Sequence, residues 1–463
     1  MTVDNDPSSH ARVVILAAGR GTRMKSTLPK VLHPLLGQPM LEHVLRAAAP
    51  LGPITVVIGP DMPAARELVG ARGACVVQDP PLGTAHALLQ ARGAQAEHVL
   101  VTCGDVPLLR TETLRALVRA RVESAAAAVL LTMTLSQPGG YGRIVRDADG
   151  RRVLRVVEEV ACSEAERAIR EVNAGVYCFD GHWLWEALEH VHPNPHNGEY
   201  FLTDLVVIAH QSGRAVIGLP VEDAEECLGV NTRADLAQAE AALRRRINLR
   251  HMLNGVTLAH PETIYIEPDV QIAPDTRIEP NTHLRGHTRI GSGCVIGPNS
   301  TLINAQIGDR VVITYSVLED AQVEDDADVG PFAHLRRGAR VGRRAHVGNF
   351  AEIKNSTLGA DSAMGHFSYL GDATVGERTN LGAGMITCNY DGQRKHHTHI
   401  GSDVFIGSDT MLVAPVTVGD GARTGAGAVV TRDVPPGVTV VGVPARRLER
   451  TQDAPASAGD ASA

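Results

Sequence analysis

Two patterns of apolar and polar positions divide this chain of 463 residues. From residue 11 to residue 230, short apolar runs of strand character alternate with helical stretches such as Met40–Ala49 and Ala85–Ala91. The strand-like runs are Val13–Leu16, Thr55–Ile58, His98–Thr102, Val129–Thr134 and Gly175–Phe179. Because strands that alternate with helices favour parallel strands joined by crossover helices, we predict an α/β domain here.

Beyond Ile264 the apolar positions follow a period of six residues instead. Aliphatic side chains recur at Ile266, Ile272, Ile278, Leu284, Ile290, Ile296 and Leu302, then at Val323, Val329, Leu335, Val341, Val347 and Ile353, at Leu358, Met364 and Leu370, and at Ile400, Ile406, Leu412 and Val418. This period matches neither an α-helix nor an alternating strand, and it is typical of a hexapeptide parallel β-helix. Each hexad would form one flat face with its aliphatic residue pointing inward and Gly or Asn at a corner of positive φ. Three faces make a coil of about 18 residues, so Ile264–Val430 predicts roughly nine coils.

The remaining segments complete the predicted domain organisation. Asn231–Asn254 has helical spacing and is rich in Ala, Arg and Leu, which predicts a long connecting helix. We place the first domain at residues 11–231, a linker helix at 232–254 and the repeat domain at 255–446. Residues 1–10 and 447–463 are polar and lack apolar periodicity, which predicts disordered ends. The polar stretch Thr387–His399 interrupts the hexads and should project as a loop.

Composition and charge exclude several classes of protein. Hydrophobic residues make up 44% and charged residues 21% of the chain, as in ordinary globular proteins, and no apolar run approaches the roughly 20 residues of a membrane span. Because residues 1–10 are polar, we expect no secretory signal there. Only 3% of residues are aromatic and the net charge is −8, which disfavours nucleic-acid binding. The seven cysteines form no C-x-x-C pair, so we expect a reduced, cytoplasmic protein without a zinc knuckle or disulfide framework.

Lysine is rare enough to mark candidate ligand-binding positions. Of the 44 basic residues, only Lys25, Lys30, Lys354 and Lys395 are lysines. An ammonium and a guanidinium bind ligands differently, so a lysine kept where arginine is the usual cation indicates a specific contact. All four lie within the motifs that carry the candidate chemistry.

A glycine-rich turn follows the strand Val13–Leu16. In the sequence VVILAAGRGTRMKSTLPK over residues 13–30, Gly19 and Gly21 let backbone N–H groups approach a phosphate, while Arg23 and Lys30 supply positive charge. The turn is not a Walker A loop, since GxxxxGK[ST] is absent. It is not a dinucleotide fingerprint either, since Met24 stands at the third glycine position.

Longer strings in the first domain carry a family resemblance. LAAGRGTRM followed by LPKVL resembles the nucleotide-binding signature of the sugar-1-phosphate nucleotidyltransferases, whose fold is Rossmann-like. Further matches follow in order: Gln78 with Leu82-Gly83-Thr84, Gly104–Leu108 (GDVPL), Tyr141-Gly142-Arg143, Glu158, Asn173, Gly198–Asp204 (GEYFLTD) and Gly229-Val230-Asn231. With the repeat domain behind it, the chain over residues 11–440 resembles the bifunctional bacterial enzymes that make UDP-N-acetylglucosamine for the cell envelope. The resemblance implies that the β-helix is left-handed.

In the first domain the resemblance implies uridylyl transfer, in which the phosphate oxygen of N-acetylglucosamine-1-phosphate attacks the α-phosphorus of UTP and pyrophosphate leaves. Asp105 and Asn231 would hold Mg²⁺, and Arg23 and Lys30 would offset the negative charge of the phosphates. The residues implied to contact UTP or UDP-N-acetylglucosamine are Leu16, Ala17, Ala18, Gly19, Arg23, Lys30, Gln78, Gly83, Thr84, Gly142, Glu158, Asn173 and Asn231. Of these, Gln78, Gly83 and Thr84 would hold uracil, and Gly142, Glu158 and Asn173 would hold the sugar. One departure concerns Val160-Ala161, where the family typically has a basic and an acidic residue.

In the repeat domain the resemblance implies acetyl transfer from acetyl-CoA to glucosamine-1-phosphate. The string Gly365–Asp372 (GHFSYLGD) resembles the family's catalytic GHxxYLGD, which makes His366 the base that takes a proton from the amine. The residues implied to bind glucosamine-1-phosphate are Arg336, Lys354, Tyr369, Asn380 and Lys395. Those implied to bind acetyl-CoA are Ala383, Asn389, Tyr390, Ser408 and Ala426, with Asn389 also holding the amine.

Two rival interpretations stay open at this point. A monofunctional nucleotidyltransferase could use the repeats only for regulation or assembly, and a non-catalytic sensor could bind the UDP-sugar. The main interpretation expects UTP, N-acetylglucosamine-1-phosphate, glucosamine-1-phosphate and acetyl-CoA as ligands, and neither nucleic acid nor membrane as partner. It also expects a homotrimer, since a three-sided prism leaves flat faces to pack and the family's acetyl-transfer site is shared between neighbours.

Overall fold

The computed structural model describes residues 11–195 and 197–448. Contacts within the chain divide it into two compact units, with the division between Leu243 and Arg244. Of the disordered ends predicted at residues 1–10 and 447–463, residues 1–10 and 449–463 lie outside the described residues, whereas Arg447 belongs to a strand. None of the described helices is long and apolar enough to cross a membrane.

The first unit is built around a mostly parallel sheet. The strands of the unit are β1 (Arg12–Leu16), β2 (Pro34–Leu35), β3 (Gln38–Pro39), β4 (Ile54–Ile58), β5 (Gly73–Val77), β6 (His98–Cys103), β7 (Ala128–Thr134), β8 (Arg143–Arg146), β9 (Val153–Val157), β10 (Glu171–Asp180) and β11 (Val216–Pro220), of which β2 and β3 pair only with each other. Its helices are α1 (Met40–Ala48), α2 (Pro63–Val69), α3 (Thr84–Gln90), α4 (Thr111–Ser124), α5 (Glu164–Arg167), α6 (Gly181–Ala187) and α7 (Asp204–Gln211). The sheet has the order β11-β7-β10-β6-β1-β4-β5, and the β8–β9 hairpin joins it at β10.

Apolar cores lie on both faces of this sheet. Along β1, Val13 and Ile15 pack into one core, where they meet residues of α1, and Val14 packs into the other, where it meets residues of α6. Strands that are covered by helices on both faces are apolar at successive positions. This is why the runs at β1, β4, β6 and β7 were readable from the sequence.

The strand predicted at Gly175–Phe179 is present, but its predicted parallel direction is wrong. It belongs to β10, which runs antiparallel to both β6 and β7, whereas the alternation of elements predicted parallel strands. Between β7 and β10 the chain forms the β8–β9 hairpin and then the short helix α5, of four residues. It therefore lacks the long crossover that parallel neighbours require.

The second unit stacks short strands on three faces. Among the described residues, face 1 has twelve strands: Thr257–Leu258, Arg277–Ile278, Val295–Ile296, Val312–Ile313, Asp328–Val329, His346–Asn349, Ala363–His366, Asn380–Leu381, Phe405–Ile406, Arg423–Thr424, Thr439–Val441 and Arg446–Arg447. In the same described part, face 2 has ten: Tyr265–Ile266, His283–Arg285, Thr301–Ile303, Val317–Glu319, His334–Leu335, Glu352–Lys354, Tyr369–Gly371, Ile386–Cys388, Met411–Val413 and Val429–Val430. Face 3, as far as the structure describes it, has nine: Gln271–Ile272, Arg289–Ile290, Gln306–Ile307, Gln322–Val323, Arg340–Val341, Thr357–Leu358, Ala373–Val375, Thr398–Ile400 and Val416–Val418.

The aliphatic residues that recur every six positions point into this prism, as predicted. Ile278, Leu302 and Ile353 are fully buried, whereas Ile272 near the start is partly exposed. Apart from Arg446–Arg447 at the end, each strand pairs in parallel with the strand one coil away on the same face. The column begins at Thr257, within the repeat domain placed at residues 255–446 and before Ile264, where the six-residue period becomes readable.

The corners of the coils are not restricted to glycine and asparagine, contrary to the expectation from the sequence. Asn281 has positive φ as predicted, but so do Asp326, Arg344 and Phe350. Glycines that follow an inward aliphatic residue have a different reason. A Cβ added at Gly348 would lie 2.0 Å from the carbonyl oxygen of Gly365 in the next coil. Close approach between coils, rather than backbone conformation, therefore requires glycine there.

The ends and the interruption of the column have defined structure. Helix α8 (Arg233–Leu253) occupies the predicted connecting segment. The predicted interruption is a loop between Ile386–Cys388 on face 2 and Thr398–Ile400 on face 3, with a bridge between Tyr390 and Lys395. At the far end Arg447 pairs with Val440, so the ordered repeat unit extends past the boundary predicted at residue 446.

Candidate active sites

Charged and amide side chains converge at the carboxyl ends of β1 and β6. These strands pair in parallel, so the segments that follow them lie side by side. The Lys30 ammonium contacts the Asp105 carboxylate and lies 3.1 Å from Oδ1 of Asn231. Nη2 of Arg23 donates to the same Asn231 oxygen at 2.9 Å. The structure thus brings together residues that the sequence places in separate motifs.

The start of α8 fixes Asn231. Asp235 accepts hydrogen bonds from the backbone N–H groups of Asn231 and Thr232 at 3.0 and 2.8 Å, and Oγ1 of Thr232 accepts from the Asp235 N–H at 3.2 Å. The N–H of Val230 donates to the carbonyl of Asp105 at 2.9 Å, which holds both oxygen-bearing residues on one backbone frame. Asp235 was missed in the sequence, although Thr-x-x-Asp is a readable helix-start signal.

The oxygens of Asp105 and Asn231 suit a hard divalent cation. The Lys30 ammonium touches both oxygens, so they face a common point at which a positive charge is stabilised. Mg²⁺ is usually bound by one or two such groups and completed by water and substrate phosphates. Among the described residues, no cluster of three or more His, Cys, Asp or Glu could hold a metal by itself.

The turn after β1 opens into a cavity. The N–H of Ala17 donates to Val57, and the carbonyl of Leu16 accepts from Gly104, both at 2.8 Å, which ties the turn to β4 and to the segment after β6. The cavity of about 240 Å³ is lined by Ala18, Gly19, Leu28, Gly59, Asp61 and Gln78, among others. The predicted phosphate turn and the predicted base contact therefore share one pocket.

Gln78 lies buried at this cavity with its amide oriented by neighbours. Its Nε2 donates to the carbonyl of Gly83 at 2.9 Å and lies 3.1 Å from Nδ1 of His86. No described residue donates to its Oε1, so that oxygen can accept from a ligand. Oγ1 of Thr84 accepts from the N–H of Leu202 at 3.0 Å, so Thr84 fixes the start of α3.

The predicted sugar residues lie together around Glu158. A Cβ added at Gly142 would lie 3.6 Å from the Glu158 carboxylate, and Oγ1 of Thr203 donates to that carboxylate at 3.2 Å. Burial raises the pKa of the Glu158 carboxyl and nearby Asp204 raises it further, while the hydrogen bond from Thr203 opposes both. The carbonyl of Gly142 accepts from the N–H of Asn173 at 2.9 Å. Thr203 and Asp204 lie in the GEYFLTD string, but the sequence assigned them no role.

A buried arginine supports this pocket. Arg143 is 2% exposed, with Nη2 lying 2.6 Å from Glu159 and another nitrogen in contact with the carbonyl of Tyr141. Glu159 also accepts from the N–H of Gly140 at 3.3 Å. The departure at Val160-Ala161 falls on exposed side chains beyond this pair, and Val160 is 91% exposed.

A cationic patch on face 2 is formed by Arg336 and Lys354 together with Lys395 from the loop that leaves this face. Contact with the Lys395 side chain lowers the pKa of Lys354, and the charges of Lys395 and Arg336 lower it further. Arg336 is paired with Glu352 at 2.8 Å. Like charges held this close favour an anionic ligand, because an anion relieves their repulsion.

Tyr369 borders the patch because a glycine leaves room for its ring. A Cβ added at Gly371 would lie 2.4 Å from the Tyr369 hydroxyl oxygen, so the ring extends across Gly371. In the sheet, Gly371 pairs with Lys354. Because residue 371 is a glycine, the Tyr369 hydroxyl can therefore lie beside the patch.

His366 ends its strand on face 1 and is exposed to solvent. Its Nδ1 lies 3.3 Å from Oδ1 of Asn349, which is its partner in the neighbouring strand. Because an amide oxygen only accepts, this contact places the ring hydrogen on Nδ1 and leaves Nε2 able to take a proton. Asn349 was missed in the sequence, although it lies one coil before His366.

The remaining predicted residues separate onto different surfaces. Asn380 lies on face 1, whereas Tyr369 lies on face 2. Ala383, Ser408 and Ala426 follow successive face-1 strands, and their segments are linked from coil to coil by the hydrogen bonds Asp409 N–H to Ala383 and Gly427 N–H to Ser408, at 2.7 and 2.8 Å. Tyr390 is exposed in the loop, where its hydroxyl donates to Gly392 at 2.7 Å.

Comparison with known proteins identifies both units. A MobA-like NTP transferase domain matches residues 13–176, and the bacterial transferase hexapeptide model matches residues 269–304 and 397–432. The bifunctional protein GlmU of Heliobacterium modesticaldum is 48% identical and covers 92% of this chain and 94% of its own. The bifunctional protein GlmU of Brevibacillus brevis is 46% identical with the same coverage, and that of Listeria monocytogenes is 44% identical over 91% of this chain and 93% of its own. A crystal structure of UDP-glucose pyrophosphorylase complexed with UDP-glucose covers 51% of this chain and 99% of its own, at 16% identity and a TM-score of 0.43, a similarity too weak to bear on function.

The match to these relatives extends over both units and nearly the whole chain. The chain therefore belongs to the GlmU family, as a bifunctional transferase with a nucleotidyltransferase domain and a hexapeptide-repeat acetyltransferase domain.

Proposed function

We propose that the β-helix acetylates glucosamine-1-phosphate with acetyl-CoA and that the first unit then transfers UMP from UTP to the resulting N-acetylglucosamine-1-phosphate. The observation that carries this proposal is that one chain holds two cation clusters suited to phosphates. The first lies beside the paired oxygens of Asp105 and Asn231. The second lies on the face next to His366.

In uridylyl transfer the protein mainly positions the reactants and stabilises charge. The backbone of Leu16–Gly19 lies along the phosphates, with Arg23 and Lys30 offsetting their charge. Oε1 of Gln78 accepts the N3–H of uracil, a donor that cytosine lacks, and Gly83 and Thr84 hold the rest of the base. Gly142, Glu158 and Asn173 hold the sugar.

Asp105 and Asn231 are the residues that hold a divalent cation, and we assign Mg²⁺ because both ligands are hard oxygen donors. When bound, the cation supplies positive charge that stabilises the phosphates during transfer. The chain's own contribution is to hold the two oxygens at one point through Val230 and Asp235.

In acetyl transfer the amine nitrogen attacks the thioester carbon. Nε2 of His366 accepts the proton that the amine loses, and the thiolate of coenzyme A leaves with the electron pair of the C–S bond. Arg336, Lys354, Tyr369 and Lys395 bind the sugar phosphate. Ala383, Ser408 and Ala426 lie along the coenzyme, with Tyr390 and Asn389 at the loop.

The acetyl-transfer site is shared between subunits of a homotrimer. Asn380 and Tyr369 lie on different faces of one chain, and we infer that a second copy supplies one of them to the site. Exposed aromatic rings offer the apolar surface for this assembly. Tyr315, Phe332 and Phe350 are in contact along one corner, and exposed Phe367 follows His366.

The enzyme acts in the cytoplasm. UTP and acetyl-CoA are cytoplasmic metabolites, and all seven cysteines are free thiols. Burial raises the pKa of Cys103, Cys178 and Cys227 to about 12, so these thiols are poor nucleophiles at neutral pH.

Two variants of the full chain separate the two reactions. Thiol release from acetyl-CoA with glucosamine-1-phosphate measures acetyl transfer, and pyrophosphate release from UTP with N-acetylglucosamine-1-phosphate and Mg²⁺ measures uridylyl transfer. His366→Ala should lower acetyl transfer by about 100-fold or more and leave uridylyl transfer intact. Asp105→Asn should lower uridylyl transfer and leave acetyl transfer intact.

His346→Ala is the matched control, because His346 lies on face 1 one coil before and pairs with Ala363. Both activities should be retained in this control. The proposal is wrong if His366→Ala keeps wild-type acetyl transfer, or if Asp105→Asn keeps wild-type pyrophosphate release.

A further inference from the structure

A ladder of amides and carboxylates follows the corner between face 2 and face 3. Four residues of this ladder have positive φ, and each comes directly after the last residue of a face-2 strand: Asn304, Asp320, Asn355 and Asp372. Nδ2 of Asn304 donates to Asp320 at 3.1 Å, and Nδ2 of Asn355 donates to Oδ1 of Asp372 at 2.7 Å. In these pairs an amide in one coil satisfies a carboxylate in the next, which stabilises the corner.

The ladder continues onto Asn389, which the proposed function places at the amine. Asn389 follows its face-2 strand, Ile386–Cys388, as Asp372 follows Tyr369–Gly371, but it is also where the chain leaves the column for the loop. Its Nδ2 donates to Oδ2 of Asp372 at 2.5 Å. Asp372 therefore binds a structural amide with one oxygen and Asn389 with the other.

This contact fixes which end of the Asn389 amide faces the carboxylate. An ionised carboxylate accepts hydrogen bonds and cannot donate, so the NH₂ end must face Asp372 and the carbonyl oxygen must face away. Asn389 is 7% exposed, and no described residue donates to its Oδ1. An amide oxygen without a protein donor is able to accept from a ligand.

Asp372 itself is held firmly. Its N–H donates to the carbonyl of Lys354 at 3.1 Å, and its carbonyl accepts from the N–H of Thr398 at 3.1 Å, where the loop rejoins the column. The backbone of Asp372 is thus tied to the strand that carries Lys354 and to the end of the loop that carries Lys395.

We propose that Asp372 is a positioning residue for acetyl transfer, one that orients the carbonyl oxygen of Asn389 toward an N–H of the acceptor amine. This rests on the acetyl transfer and on the role of Asn389 in the proposed function. With one N–H bound by Asn389 and a proton accepted by His366, the lone pair of the amine is directed to the thioester carbon. A reversed Asn389 amide would present N–H groups to an amine whose lone pair is needed for the attack.

The test compares Asp372→Asn with Asp320→Asn in the full chain. Asp320 is the matched control because it has the same corner position, positive φ and a hydrogen bond from an Asn in the neighbouring coil, but it does not contact Asn389. Acetyl-transfer kcat and the KM values for both substrates are measured alongside uridylyl transfer and thermal unfolding. Asn389→Ala is included to establish that Asn389 itself matters.

We expect Asp372→Asn to lower acetyl-transfer kcat by about 10- to 100-fold with the KM for acetyl-CoA unchanged, because an Asn–Asn pair permits both amide orientations. Asp320→Asn should stay within about twofold of wild type. If Asn389→Ala lowers kcat but Asp372→Asn lowers it no more than Asp320→Asn does, the positioning role is wrong while the proposed function stands. Wild-type acetyl transfer in Asn389→Ala would overturn both the role of Asn389 and this inference.

An exchange variant keeps the test decisive if Asp372→Asn folds poorly. Asp372→Asn combined with Asn389→Asp restores the hydrogen bond with donor and acceptor swapped, and again leaves one oxygen at position 389 for the amine. It should recover more kcat than Asp372→Asn or Asn389→Asp alone. A carboxylate there also stabilises the ammonium form of the acceptor, so the acetyl-transfer pH profile should shift to higher pH. Failure of this double variant to exceed both single variants would contradict the proposal.

Discussion

At the scale of single residues, burial of the Glu158 carboxyl lowers the stability of the folded protein, although the same carboxyl is proposed to hold the sugar. Its carboxyl is buried next to Asp204, and both desolvation and that neighbour raise its pKa. A raised carboxyl pKa means that ionisation favours the unfolded state, so this group lowers the stability of the folded state at neutral pH. The neighbouring Glu159 is the opposite case, since its hydrogen bond with Arg143 lowers its pKa.

Glu158→Gln should therefore raise the unfolding temperature of the first unit at neutral pH while raising the KM for N-acetylglucosamine-1-phosphate. Its advantage over wild type should grow as pH rises from the ordinary pKa of glutamate to the raised pKa of Glu158, and should vanish at lower pH. Glu159→Gln is the control and should lower the unfolding temperature instead. Calorimetry across pH measures both, and a Glu158→Gln variant less stable than wild type at pH 7 would contradict the prediction.

In the cationic patch, too, we expect a side chain that binds substrate to do so without stabilising the folded protein. Lys354→Met should raise the KM for glucosamine-1-phosphate by about 10- to 100-fold, the range for a lost hydrogen bond to a charged group, without lowering the unfolding temperature. In wild type, the lowered pKa of Lys354 means that stability rises with pH through that pKa, while affinity for the phosphate falls as the ammonium loses its proton. Steady-state kinetics and thermal unfolding test this.

The control for that variant is Arg340→Met, which removes an exposed cation from face 3. It should leave the KM for glucosamine-1-phosphate unchanged. Equal KM values for the two variants would mean that the patch does not bind the phosphate.

At the scale of elements, stacking of coils depends on positions that have no room for a side chain. Gly348 is such a position, since an added Cβ would lie 2.0 Å from the carbonyl oxygen of Gly365. Gly365, in the next coil, has open space instead, with its nearest contact at 3.8 Å to His346. The two glycines therefore differ in what a methyl group would meet, although they lie on the same face.

Gly348→Ala should destabilise the repeat unit by about 1–3 kcal/mol, the usual cost of overpacking. Gly365→Ala should change the free energy of unfolding by much less. Chemical denaturation of the full chain, followed by a probe of the β-helix, measures both. Equal stability of the two variants would show that close approach is not what selects glycine at position 348.

At the scale of the whole molecule, the exposed aromatic corner bears on assembly. Phe350 is 61% exposed and Phe332 is 53% exposed, and their rings stack at 5.3 Å. Large exposed apolar groups in a row usually mark an interaction surface. Because this corner leads to His366, we expect an assembly through these rings to affect acetyl transfer rather than uridylyl transfer.

If the chain assembles as the proposed homotrimer, Phe350→Ser should weaken that assembly and lower acetyl transfer in proportion to the trimer lost, with uridylyl transfer unchanged. Sedimentation velocity over a range of protein concentrations measures the assembly. Val160→Ser, which also removes an exposed apolar side chain but in the first unit, should leave the assembly unchanged. A wild-type chain that sediments as a monomer, or a monomeric variant with full acetyl transfer, would contradict the shared site.

The sequence by itself determined the order of the units and the architecture of each. Burial on both faces makes β1, β4, β6 and β7 continuously apolar, and a repeating coil demands an inward aliphatic residue every six positions, so both patterns are local and readable. The candidate residues could be named as well, because each lies in a short string that resembles a family motif.

Only the tertiary structure decided which of these residues meet. β10 runs antiparallel because a hairpin precedes it, a fact that depends on the pairing of distant segments. The meeting of Lys30 with Asn231 joins segments far apart in sequence, and the separation of Asn380 from Tyr369 follows from which face each strand joins. The orientation of Asn389 by Asp372 likewise required the stacking of coils. Contacts of this kind arise from the path of the chain in space, and no single stretch of sequence encodes them.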